Sequence, residues 1–210
     1  MGKRSLYIVG GGDFGREVET HLDRVPEGDR NWRIAGFLDD NPSSLEGYPS
    51  DYKVVGSVSD YQFQVGDLAI IAVATPKVKR GLFEILRRKV KLLTFISPDA
   101  IVGKFTKIGE GCILGPRVVI GPNVILGDGV CVNTGSMIGH DTAIGDFSSL
   151  MANNNIAGKC RVGEEVYFAS TVTVIPSRSI CDGALIGAGS VVIRDIKERR
   201  TVFGNPANYL

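Results

Sequence analysis

The chain has 210 residues, 43% of them apolar and 22% charged, with 24 Lys plus Arg against 23 Asp plus Glu. That length can bury a sizeable core in one or two domains, and the composition is that of a globular chain, not a disordered one. A net charge of +1 supplies neither the basic footprint of a nucleic-acid binder nor a polybasic membrane anchor. The stretch before the first glycines is too short for a signal peptide, and Leu6 stands where a myristoylation signal needs Ser or Thr. No run approaches the ~18 apolar residues of a membrane span. Cys112, Cys131, Cys160 and Cys181 form no C-x-x-C pair. They read as reduced, small core residues of a cytoplasmic protein without a metal site.

Strand and helix signals alternate at first. Leu6–Val9 reads as a buried strand, followed by a glycine loop and a helix from Phe14 to Arg24. Arg33–Leu38 is a second strand ending at Asp39–Asp40. Pro42–Gly56 is turn-rich, with a short strand near Val54. Leu68–Ala74 is a continuous apolar run, expected of a central parallel strand covered on both faces. Lys77–Arg88 is a helix entered at Pro76, and Leu92–Phe95 closes the domain. This is a small α/β pattern over residues 1–95.

From Ile96 the period changes to six. Ile96, Val102, Ile108, Leu114 and every sixth residue after them to Val192 are bulky and apolar, 17 positions without a slip. The next residue is glycine at nine of them, among them Gly103, Gly121, Gly139 and Gly163. Such a period predicts a solenoid of short strands and tight corners over residues 96–210, 18 residues to a coil. Glycine suits corners because they need close backbone approach or a positive φ. The residues from Glu198 onward are placed as a cap on the last coil.

Of the two histidines, His21 falls on the first helix, where a packing or surface role is expected. His140 lies in the hexad Ile138–Ala143. Residues 18 apart stack about 4.8 Å apart, which puts Gly158 one coil above His140. A base and a bare backbone N–H on one corner are what acyl transfer needs: a proton acceptor for the nucleophile and a donor for the oxyanion. Asp141 can hold the imidazole tautomer, or simply pair with Lys159 on the next coil. Asn133 is either a turn residue or a contact for an acceptor. Asn153–Asn155 is an internal polar ladder or a corner. Gly10–Gly15 fits G-x-G-x-x-G between a strand and a helix, a Rossmann-like phosphate cradle with Asp39 as a ribose ligand.

The [LIV]-G-x-x-x-x repeat, the terminal Gly204–Ala207 (GNPA), the glycine loop and Phe37–Asp40 (FLDD) together carry a resemblance over nearly the whole chain. It resembles the hexapeptide-repeat sugar acetyltransferases of the sialic-acid O-acetyltransferase and bacillosamine-pathway N-acetyltransferase group. The resemblance implies a Rossmann-like N-terminal domain followed by a left-handed parallel β-helix, homotrimers, and acetyl-CoA bound between neighbouring subunits without a metal. By residue matching it implies His140 as general base, Asp141 as its partner and Gly158 as oxyanion donor. It also implies a pantetheine arm along Gly158, Ala169 and Ala188. The nucleotide-linked amino sugar would be held by Gly11, Gly12, Asp13, Asp39, Asp40, Ala74 and Asn133. Two departures bear on the sugar: Phe14 and Ser149 stand where relatives often carry histidine.

The expected activity is acetyl transfer to the amine of a nucleotide-linked sugar in bacterial glycan biosynthesis. O-acetylation of a hydroxyl, as on sialic acid, is the nearest competitor. An NAD-dependent oxidoreductase and a non-catalytic trimeric scaffold are further ones, and acyl carrier protein is an alternative acyl donor. A γ-type carbonic anhydrase on the same solenoid needs three histidines, and the repeat contains one.

Overall fold

The structure, a computed structural model, describes residues 2–210. The chain divides into two compact units: one reaches to Ala74 and takes in Val78–Leu93, the other comprises Thr75–Lys77 and Thr94–Leu210.

The first unit holds β1 (Arg4–Val9), α1 (Asp13–Asp23), β2 (Trp32–Leu38), β3 (Val54–Gly56), β4 (Leu68–Ile71) and β5 (Lys91–Leu92). The helix α2 (Pro76–Leu86) joins the last two strands. All pairings are parallel, in the order β3-β2-β1-β4-β5. Leu6, Ile8, Phe37, Leu38, Leu68 and Ile70 fill the sheet's core, with Val18 and Leu22 of α1 and Phe83 and Leu86 of α2 among the buried residues. The strand order reverses beside β1, so the loops leaving β1 and β4 diverge and open a crevice at the carboxyl ends of the strands. Two expectations shift. Only Leu68–Ile71 of the apolar run is strand, the chain leaving the sheet before Ala74. Phe95 does not close this sheet, because Phe95–Ile96 pairs with Ile113–Leu114 of the repeat.

In the second unit each of the 17 sixth-residue positions is the second residue of a two-residue strand, from Phe95–Ile96 to Val191–Val192. Each strand up to Thr173–Val174 pairs in parallel with the strand 18 residues on, as in Ile120↔Ile138↔Ile156↔Val174↔Val192. The result is a parallel β-helix with three sheets. From Leu114 onward these apolar residues are buried. Ile96 and Val102 instead stay 42% and 38% exposed, because they lie on the end coil with no coil beneath it. Thr201–Phe203 stacks on Leu185–Ile186, and Asn208–Tyr209 turns back antiparallel to finish that face.

The corners separate two demands that sequence reading merged. Positive φ recurs at every sixth residue from Phe105 to Gly189, and ten of these positions hold residues other than glycine. The glycines that follow the apolar residues serve close approach: a Cβ on Gly139 would stand 2.4 Å from the Gly158 nitrogen. Buried hydroxyls lock coil to coil. Ser136, Thr142 and Ser148 each donate to the carbonyl 15 residues ahead, at 2.9–3.1 Å. Each also accepts the N–H 18 residues ahead. Cys112 and Cys160 occupy the same register and donate through Sγ to Gly127 and Ile175 carbonyls. These two cysteines are therefore donors within the ladder as well as core filler. Asn154 continues it, buried and bonded to the Val172 N–H, while Asn153 is a positive-φ corner residue and Asn155 lies in a strand.

Candidate active site

His140 sits on a corner between the strands Met137–Ile138 and Ala143–Ile144, and Gly158 sits on the same corner one coil above. The Lys159 N–H donates to the His140 carbonyl at 2.9 Å, and the Asp141 N–H to the Pro122 carbonyl at 3.1 Å. Asp141 takes the positive-φ position of this corner (φ 60°), a conformation Asp tolerates better than most residues. From there its short side chain reaches the ring: His140 Nδ1 lies 2.8 Å from Asp141 Oδ2. The other oxygen, Oδ1, accepts from Asn123 Nδ2 at 3.1 Å. The carboxylate is thus held by His140 and Asn123, not by Lys159, which acts as a nearby positive charge. The His140 hydrogen bond, then the Asn123 one, hold the Asp141 carboxyl below the usual carboxylate range. The side chain stays ionised beside the imidazole at neutral pH, and its pairing is lost only as pH falls through that lowered value.

With Nδ1 facing a carboxylate, the network assigns the neutral ring's proton to Nδ1 and leaves Nε2 as the acceptor. Nε2 is the atom that faces Gly158: a Cβ there would lie 2.8 Å from it and 3.0 Å from Cε1. Only glycine leaves room for this ring. The Gly158 N–H has no acceptor among the described residues. Arg161 Nη1 braces the corner by donating to the carbonyls of Asp141 (2.7 Å) and Cys160 (3.0 Å).

His140, Asp141 and Gly158 are therefore brought together. Asn133, Ala169 and Ala188 lie on a different corner of the same chain, because six residues make one side and these positions fall on the next edge but one. Asn133 is buried, and its Oδ1 accepts from the Thr134 N–H at 2.6 Å, which is the behaviour of a turn residue. Ser149 is buried within a strand. His21 is buried on α1, 3.8 Å from Glu17.

In the first unit the glycine loop links β1 to α1, with Gly12 capping the helix. Gly15 permits helix–strand contact, since a Cβ there would lie 1.9 Å from the Gly10 carbonyl oxygen. Around Gly12, by contrast, a Cβ would meet nothing within 4 Å. Asp39 Oδ2 accepts from the Gly11 N–H (2.7 Å) and Oδ1 from the Asn41 N–H (2.8 Å). Asp40 Oδ1 accepts from Val58 (3.0 Å). Both carboxylates first shape their own loops, a role the motif alone did not show. Ala74 follows β4 at the carboxyl end of the same sheet, and Asp13 opens α1 with an ion pair to Arg16. Sequence reasoning missed Asn123, Thr142 and Arg161. The first was within reach, since Asn123 lies 18 residues before Asp141 and so stacks beneath it.

The model of the family described as the GMPPB C-terminal domain matches residues 96–208, more than half of the chain. The chain belongs to that family. The PglD N-terminal domain model matches residues 5–86, and the chain resembles the hexapeptide-repeat sugar acetyltransferases of the bacillosamine-pathway group. Among solved structures it is similar to the acetyltransferase domain of PglB from Neisseria gonorrhoeae, at 28% identity and TM-score 0.89, covering 99% of this chain and 100% of that one. The same domain in complex with acetyl coenzyme A matches at 29% identity and TM-score 0.86, over all of both chains. PerB from Caulobacter crescentus, in complex with CoA and GDP-perosamine, matches at 26% identity and TM-score 0.86, over 98% and 97% of the two chains. The acetyltransferase-like YvoF of Bacillus subtilis is 33% identical over 73 residues, 32% of this chain. The chain spans 42% of the length of that curated relative.

Proposed function

We propose that the protein transfers an acetyl group from acetyl-CoA to the amine of a nucleotide-linked amino sugar, as a step of bacterial glycan biosynthesis. The observation that carries this reading is the corner itself: an imidazole Nε2 held as acceptor by Asp141, lying against a glycine whose N–H is free to donate. The acceptor amine attacks the thioester carbonyl carbon as His140 Nε2 takes its proton. The Gly158 N–H donates to the oxygen of the tetrahedral intermediate. The C–S bond then breaks, CoA leaves as thiolate, and the imidazolium returns the proton. Holding both substrates on one corner supplies much of the rate by orientation.

Two further features support the reading. PerB, similar along its whole length, was solved with CoA and a GDP-linked amino sugar. The loop Gly11–Gly12–Asp13, with backbone N–H groups at the start of α1, Asp39, Asp40 and Ala74 suits the phosphates and ribose of such a nucleotide. Ala169 and Ala188 lie on another corner from Gly158, which supports a pantetheine arm running between two copies of a homotrimer whose neighbours share the sites and Asn133. No helix among the described residues is long and apolar enough to cross a membrane, and the proposed location is the cytoplasm.

Release of CoA thiol from acetyl-CoA, measured against UDP-, dTDP- and GDP-linked amino sugars, tests the reading. Turnover of one of them, with the new acetyl on nitrogen by NMR, is the expected result. Turnover confined to sugars that offer only hydroxyls would replace it with O-acetylation. No thiol release with either class would defeat it.

A further inference from the structure

The Gly158 N–H belongs to a slot that the solenoid builds repeatedly. At three corner peptides on the next edge of the solenoid the carbonyl points inward, onto a hydroxyl or thiol one coil below. Thr94 Oγ1 donates to Gly109 O (3.0 Å), Cys112 Sγ to Gly127 O (3.1 Å) and Ser148 Oγ to Gly163 O (2.9 Å). A trans peptide sets its N–H opposite to its carbonyl, so the N–H of the next residue points outward. In all three cases a carboxylate 18 residues ahead fills that place. Glu110, Asp128 and Glu164 donate at 2.9 Å to Oδ1 of Asp128, Asp146 and Asp182 respectively.

The Ala157–Gly158 peptide repeats the first half of this pattern. Thr142 Oγ1, 1% exposed, donates to the Ala157 carbonyl at 3.1 Å and so turns the Gly158 N–H outward. The second half differs. The residue 18 ahead of Gly158 is Pro176, whose side chain has no oxygen to offer. We propose that the oxyanion site of this enzyme is the fold's own carboxylate slot, kept open because Pro176 stands where the three filled corners carry Asp. The inference rests on the acetyl-transfer reading and deepens it. The three filled slots show what this N–H position takes: an anionic oxygen at 2.9 Å, within the range for an oxyanion donor. Pro176 touches no reacting atom and positions none; it bears on the site only by offering no carboxylate, so the donor is left to the substrate.

The test is Pro176→Asp, which supplies the missing carboxylate, with Pro176→Ala as the control that supplies none. A crystal structure of Pro176→Asp should place its carboxylate oxygen about 2.9 Å from the Gly158 nitrogen, as at the three filled corners. Its kcat should fall about 100-fold, the scale of losing one oxyanion donor. Pro176→Ala should stay within about threefold of the parent, and all three proteins should melt alike. An aspartate turned away from Gly158, or a Pro176→Asp kcat equal to that of Pro176→Ala, would overturn the inference. The crystal structure reads the slot whether or not any acceptor is turned over. A failure of the proposed reaction is therefore told apart from a failure of the slot.

Discussion

Replacing Gly158 with alanine should cost about 100-fold in kcat while leaving the fold intact. The new Cβ would lie 2.8 Å from His140 Nε2, 3.0 Å from Cε1 and 3.1 Å from Cδ2. These are atoms of a ring on an exposed corner, not of the backbone, so the ring yields and the solenoid does not. The ring's displacement breaks the 2.8 Å contact with Asp141 and moves Nε2 away from the reacting amine. A shift of about 1 Å in a reacting group is enough for a loss of that size. The backbone N–H survives the change, so the variant isolates the base from the oxyanion donor. Thermal melting indistinguishable from the parent, together with the kcat loss, is the expected pair of results. Activity within about threefold would show that the position of this ring does not matter.

His140→Ala should reduce kcat by about 100- to 1,000-fold at neutral pH, the usual worth of a positioned base. Its pH dependence carries more information than its size. An amine acceptor is itself titratable, and once deprotonated it attacks without help. The variant's rate should therefore climb about tenfold per pH unit, until the acceptor's own amine is neutral. A hydroxyl acceptor reaches no such plateau by pH 10, because it loses its proton only at far higher pH. Measuring kcat for His140→Ala across pH 6–10 thus tests the base and the acceptor class together. A variant with unchanged kcat at neutral pH would remove His140 from the chemistry.

Much of this arrangement was legible in the sequence because a solenoid turns spacing into geometry. A six-residue apolar period with no slip fixes the strand register, and 18-residue stacking sets His140 beneath Gly158. The structure adds what spacing does not encode, namely the directions of side chains. Asp141 can meet Lys159 or His140 on spacing alone. Its positive φ turns the carboxylate to the ring, and Asn123 beneath holds the second oxygen. The same blindness hid the inward Thr142 hydroxyl, which looks like an ordinary β-branched filler in the hexad. It also hid that the two Asp39 oxygens hold the Gly11 and Asn41 N–H groups and so shape the loop itself. Phe95 was placed with the α/β unit because a two-residue strand has no periodicity of its own. Only its pairing with Ile113 reveals where it belongs.

A crystal structure with a non-hydrolysable acetyl-CoA analogue and the acceptor tests the central claim most directly. The acetyl carbonyl oxygen should lie about 2.7–3.1 Å from the Gly158 nitrogen, with the acceptor amine within hydrogen-bonding distance of His140 Nε2. An acetyl group bound with its carbonyl away from Gly158, or an amine out of reach of His140, would contradict the account.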